Sequence, residues 1–95
     1  MAGASGIKLV RMSEDHLENT YRWLSESERL REQVDCLLPP TREGNVRHWR
    51  AHWNDPTRED FAILDAAGVH VGNCGLRAIE LQRRKAELWI YLGDS

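Results

Sequence analysis

Phe61-Ala62-Ile63-Leu64-Asp65-Ala66-Ala67-Gly68-Val69-His70-Val71-Gly72-Asn73-Cys74-Gly75-Leu76 is the stretch where the chain changes its hydrophobic period. Two short apolar runs flank Asp65-Ala66-Ala67-Gly68, a turn composition, so the stretch reads as a β-hairpin. Ile79 to Lys85 then forms a polar, basic connection, and Ala86 to Leu92 is the clearest strand in the chain. Upstream the pattern differs. Lys8-Leu9-Val10-Arg11-Met12 alternates polar and apolar, with Ile7 before it, and predicts a first strand. Ser13 is a good N-cap, and Leu17, Tyr21 and Leu24 follow at helical spacing, with Thr20 and Trp23 widening the apolar stripe. Ser25 to Gln33 either continues this helix or breaks into a second short one. The double proline closing Val34 to Pro40 makes that segment a loop. Thr41 caps the next helix, which presents Val46, Trp49 and Trp53 on one face and stops at Asn54-Asp55-Pro56. The expected order is strand, helix, helix and three strands. That order predicts an α+β fold, a four-stranded antiparallel sheet with two helices on one face.

The size and composition narrow the functional classes. Ninety-five residues make one domain. Residues 1–6 read as a flexible N-terminus and 7–95 as the folded unit. Thirteen basic and fifteen acidic residues give a net charge of -2, so no basic excess points to a nucleic-acid partner. No apolar run approaches the roughly 18 residues of a membrane span. Two cysteines, Cys36 and Cys74, are too few for a disulfide scaffold, which makes a cytoplasmic location the default expectation.

Several groups invite a chemical reading. His48 and His52 are one helical turn apart, but Trp49 stands where a zinc protease helix carries its Glu, so solvent-facing histidines and no metal are expected. Both cysteines read as small buried residues. Gly72-Asn73-Cys74-Gly75 lies inside a strand pattern and marks a bulge or a close backbone approach rather than a phosphate loop. Arg83-Arg84-Lys85 reads as a solvated hairpin turn. In the last strand Glu87, Trp89 and Tyr91 share one face, and Ala86, Leu88, Ile90 and Leu92 share the other. The aliphatic set reads as a core face. The first set, a carboxylate with two amphipathic aromatics, reads as a cleft wall with Glu87 as a general base. An edge glutamate paired with the nearby basic cluster fits the same residues.

This order of parts resembles the GNAT superfamily of N-acetyltransferases, closest to the branch acting on ribosomal-protein N-termini, spermidine or amino sugars. The resemblance rests on the Arg11 entry into a helix ending Tyr21-Arg22-Trp23-Leu24 and on the helix around Trp49. It also rests on Phe61-Ala62-Ile63, on Val71 to Leu76 with Ile79-Glu80, and on Ala86 to Leu92. It runs from about Ile7 to Ser95 and corresponds to the N-terminal half of that fold. It implies acetyl-CoA as cofactor and Glu87 as base directly or through water; Trp89 and Tyr91, on the cleft wall read from the strand, are the expected substrate-binding residues. The backbone near Tyr91 and Gly93 is where the family holds the thioester and pantetheine. The Gly-rich loop that holds the pyrophosphate at a helix N-terminus would follow Ser95.

Two functions are therefore expected. One is a truncated acetyltransferase-like protein, inactive without its cofactor half, with a small amine as substrate. The other is a non-catalytic dimeric module that binds a small ligand or protein. The two apolar faces of the sheet favour a homodimer in either case, through the uncovered face or the last strand.

Overall fold

The computed structural model describes residues 6–34 and 40–93. Cys36, most of the Val34 to Pro40 loop and nearly all of the N-terminal segment lie outside the described residues, as do Asp94 and Ser95. Four strands, β1 (Lys8–Arg11), β2 (Glu59–Leu64), β3 (His70–Glu80) and β4 (Lys85–Leu92), form one antiparallel sheet in the order β1-β2-β3-β4. The helices lie between β1 and β2 in the chain. The α+β architecture expected from the sequence is present.

Ser13 opens the helical part: its N–H donates to Nδ1 of His16 at 2.9 Å. A 3-10 turn, Glu14–His16, leads directly into α1 (Leu17–Glu26). Ser27 then breaks the helix. Its backbone is extended, at φ -117° and ψ 105°, and its hydroxyl accepts the N–H of Leu30 at 3.0 Å, capping the six-residue α2 (Glu28–Gln33). The Arg31 guanidinium closes the break by donating to the carbonyls of Leu24 and Ser25 at 2.7 and 3.1 Å. Three helices thus stand where two were certain from the pattern. Thr41 caps α3 (Arg42–Trp53) as expected, accepting the N–H of Gly44 at 2.9 Å.

The helices cover the sheet face that carries Val10, Asp60, Ala62, Asn73, Gly75, Trp89 and Tyr91, successive cross-strand neighbours in the register. Trp23, Leu24, Leu30 and Tyr91 form one core cluster, and Met12, Leu17 and Trp49 form a second. Trp89 packs against both. A Cβ at Gly75 would meet the Glu59 carbonyl and come within 2.9 Å of the Trp89 indole, so the close approach expected in this glycine-containing stretch is made here.

One expectation is reversed. Ala86, Leu88, Ile90 and Leu92 do not face the core: Leu88 is 75% exposed, Ile90 59% and Leu92 60%. The helices cover the aromatic face of β4. The physical reason is space. Gly75 leaves room on that face for the Trp89 indole, which a Cβ at this position would meet at 2.9 Å.

At the centre of the covered face is a polar group rather than a methyl group. Asn73 is fully buried, and its amide N–H groups donate to Thr20 Oγ1 on α1 at 3.0 Å and to the Tyr91 hydroxyl on β4 at 2.9 Å. Its carbonyl accepts from His70 Nε2 at 2.7 Å, and His70 Nδ1 accepts from Asn19 Nδ2 at 3.2 Å. Thr20 in turn donates to the His16 carbonyl at 2.9 Å.

Replacing Asn73 with Ala removes one hydrogen bond each from Thr20 Oγ1, the buried Tyr91 hydroxyl and His70 Nε2. The expected loss is about 2–4 kcal/mol in urea unfolding. Trp49→Ala should cost about 3–5 kcal/mol in the same measurement. A loss under about 1 kcal/mol for either variant would contradict this packing.

Candidate functional site

The larger of two adjoining cavities, about 790 Å³, opens between α3 and β4. Trp49, His48 and His52 from α3 form one wall, and Trp89 and Tyr91 from β4 form the other, with Arg58 and Arg77 at the sheet end. The Trp49 and Trp89 rings lie 6.0 Å apart, as do those of Trp89 and Tyr91. A smaller cavity of about 370 Å³ lies on the other side of His52 and Arg58, with Trp53, Arg11, Glu14 and Asp60 among its walls. His52 and Arg58 line both.

This aromatic layout follows from the local sequence. Trp49 and Trp53 are one turn apart on α3, so both point towards the sheet. Trp49 is buried, and Trp53 packs partly buried beside it. His48 and His52 flank them on the same helix with their rings 4.0 Å apart; both line the large cavity, His48 exposed to solvent as expected and His52 partly buried. Burial and the nearby Arg58 hold His48 below the usual imidazole range. His52 is pushed down to about 4, by burial first and then by His48 and Arg58. Both are neutral at pH 7.

Arg58 and Asp60 form the buried ion pair of the site. Arg58 Nη2 donates to Asp60 Oδ1 at 3.3 Å, and the Asp60 side chain is 1% exposed. Burial lifts the Asp60 carboxyl above the ordinary range while Arg58 pulls it back. The second oxygen, Asp60 Oδ2, has no partner among the described residues. Neither do Arg58 Nε, His52 Nδ1 or the indole N–H groups of Trp49, Trp53 and Trp89. These six buried polar atoms sit on residues that line one cavity or the other.

The structure places the expected site residues as follows. Trp89 and Tyr91 are on the cavity wall. Tyr91 is a buried phenol whose pKa is raised to about 12 by desolvation, so it stays protonated at neutral pH. Glu87 projects from the same face of β4 but is 58% exposed, and its Oε1 is 3.7 Å from Arg77 Nε. Its partner is the cross-strand Arg77, not the Arg83-Arg84-Lys85 cluster. Because Arg77 lines the cavity, Glu87 sits at the rim beyond Trp89. The N–H of Gly93 donates to the Val71 carbonyl at 2.8 Å. Antiparallel alternation then turns the Tyr91 backbone towards β3 as well, and leaves Ile90 and Leu92 with the backbone groups of the free β4 edge.

Asp60, Arg58 and Arg77 were not singled out by the sequence. Asp60 had a readable signal, a carboxylate at the same parity as Ala62 on β2, one residue pair from an arginine. No group of three His, Cys, Asp or Glu side chains placed to hold a metal is found among the described residues. No helix among them is long and apolar enough to cross a membrane.

No protein-family model and no curated protein sequence matches this chain. Solved structures do. Spermidine N-acetyltransferase from Vibrio cholerae in complex with CoA and spermine superposes with a TM-score of 0.81 at 17% identity, over 94% of this chain and 52% of that one. The chain shares the fold of about half of that structure. A chimera of the Vibrio cholerae enzyme SpeG with hSSAT gives a TM-score of 0.76 at 19% identity, over 93% of this chain and 51% of that one. SpeG in complex with manganese ions gives 0.68 at 19% identity, over 94% and 49%. The chain spans about half the length of these structures, as the sequence resemblance implied.

The depressed histidines make stability fall on acidification. The unfolded chain takes up protons on His52 near pH 6.5, the folded chain only near 4, so that contribution is present above 6.5 and disappears as the pH drops to 4. Asp60 has the opposite sign, its cost easing as it protonates. His52→Gln isolates the histidine part: urea midpoints of the variant should fall less between pH 6.5 and 4 than those of the parent. Parallel curves would contradict the assignment.

Proposed function

We propose that this chain supplies the amine-binding side of an acetyl-CoA-dependent N-acetyltransferase. The observation that carries the reading is a cavity walled by Trp49 of α3 and by Trp89 and Tyr91 of the last strand, in a fold that superposes on half of a spermidine N-acetyltransferase at a TM-score of 0.81.

The free edge of β4 at Ile90 and Leu92 suits an amide-bearing chain such as the pantetheine arm, which can pair with it as a further strand does. Acetyl-CoA supplies the activated acetyl group when bound. Trp89 and Tyr91 orient the amine and exclude water from one side of it. Tyr91 remains a neutral phenol and is not a base. Glu87 at the rim takes the ammonium proton, directly or through a water, so that the amine attacks as a free base. By the resemblance the pyrophosphate loop follows the fourth strand, and turnover requires that part, from the same polypeptide or from a second one.

A non-catalytic dimeric module is the second reading, favoured by the uncovered sheet face. Leu9, Leu76, Leu88, Ile90 and Leu92 are exposed together there, with Phe61 and Ile63 between them in the register. A face of this extent is on the order of the roughly 800 Å² per partner that a stable dimer buries. Two copies packed through this face form a homodimer under either reading, and the expected species in light scattering is twice 11.0 kDa. A monomer at high micromolar concentration that binds no hydrophobic dye would contradict it.

Calorimetric titration with acetyl-CoA, followed by turnover on a panel of small amines, tests the enzyme reading. Micromolar affinity with acetylated product supports it; no heat at millimolar ligand leaves the binding module. In any form that turns over, Glu87→Gln should lower the rate by about 10²–10⁴ with ligand affinity nearly unchanged. Full activity in that variant would remove Glu87 from the mechanism.

A further inference from the structure

The charges around the large cavity do not suit a polyamine. Among the described residues that line it, the only full charges are Arg58 and Arg77, and no carboxylate is present. Asp60 stands behind Arg58, 3.3 Å from its Nη2, and lines the smaller cavity instead. Glu87 faces Arg77 from the rim at 3.7 Å. His48 and His52 add neither charge at neutral pH nor a carboxylate. The buried hydrogen-bonding atoms left unpartnered on lining residues have the same bias. Of the four such atoms, Trp49 Nε1–H, Trp89 Nε1–H and Arg58 Nε–H are donors, and His52 Nδ1 donates or accepts according to its tautomer.

A polyamine brings positive charge and more N–H donors, so it repeats what the wall already presents. A carboxylate brings negative charge and two acceptor oxygens with four lone-pair sites, and guanidinium and indole groups are its natural partners. We infer that the cavity takes an amine that also carries a carboxylate, of the amino-acid or short-peptide kind, and discriminates against polyamines. Arg58 and Arg77 hold the carboxylate. Glu87, next to Arg77 at the rim, faces the ammonium group of the same molecule. This assignment rests on the proposed amine-binding role of the cavity and adds the class of amine.

Nitrogen–proton NMR of the full chain reads the site directly through the indole N–H resonances of Trp49 and Trp89. The probes are alanyl-alanine, its C-terminal amide and spermidine, each titrated at the same ionic strength. Alanyl-alanine should shift these resonances saturably, the amide should bind at least about tenfold more weakly, and spermidine should leave them unmoved. Arg77→Gln changes an exposed side chain, so the fold is kept. It should weaken the dipeptide about three- to tenfold and narrow its advantage over the amide. Saturable spermidine binding, equal affinity for dipeptide and amide, or no shift with any probe would overturn the inference. Dipeptide binding without acetylation by any acetyl-CoA-loaded form would leave this selectivity standing and remove the transferase reading.

Discussion

A fully buried side-chain amide must find all its partners inside the protein, and Asn73 meets that requirement only with α1 in one position on the sheet. Both N–H groups and the carbonyl are engaged, by Thr20 from the helix, Tyr91 from β4 and His70 from β3. Sliding α1 by one turn would leave Thr20 out of reach and an amide proton unpaired in the core. Apolar packing around Trp23 and Leu30 tolerates small shifts; hydrogen bonds of 2.7 to 3.0 Å do not. The network therefore sets the register of the helical layer.

That register determines the cavity. With α1 anchored over Asn73 and Tyr91, α3 is tied to it through Asn45, whose amide donates to the Leu17 carbonyl at 3.2 Å, and through the Arg42–Glu18 and Arg50–Glu14 ion pairs. The exposed ion pairs add little stability, while the buried Asn45 bond fixes the crossing point. Trp49 then packs against Trp89 with ring centroids 6.0 Å apart, and the gap of the large cavity opens beside the pair. Arg58 and Asp60 occupy the end of that gap as a buried pair with unused hydrogen-bonding capacity. Buried polar atoms without partners are costly and uncommon, and their concentration on the walls of two adjoining cavities gives the region the character of a ligand site rather than a packed core.

Much of this was legible in the sequence. The change of period at Phe61, the Asp65 to Gly68 turn and the Ser13 and Thr41 caps locate the strands and helices. The resemblance to N-acetyltransferases rests on the same residues and agrees with the solved structures. What pattern could not decide was parity. A strand with Trp89 and Tyr91 on one side and Leu88 and Ile90 on the other is apolar on both, and alternation does not say which face a helix will cover. The outcome depended on Gly75, which lies on β3, beyond β2 from the last helix in the chain, and faces Trp89 across the ladder. The cavity's charges were hidden for a related reason: Arg58, Asp60 and Arg77 are far apart along the chain or at strand ends, and only the ladder brings them beside Trp89. The Ser27 break was readable only as a possibility, because a serine in a charged segment either caps or continues a helix.

Hydrogen exchange of the Asn73 side-chain amide, followed by nitrogen–proton NMR, tests the central constraint most directly. If the amide is held by Thr20 and Tyr91 as described, its two protons are resolved and exchange only through global unfolding, with the same free energy as the slowest backbone amides of β3. An amide that exchanges like one on the surface, while the β3 backbone stays protected, would contradict the claim that Asn73 anchors the helical layer.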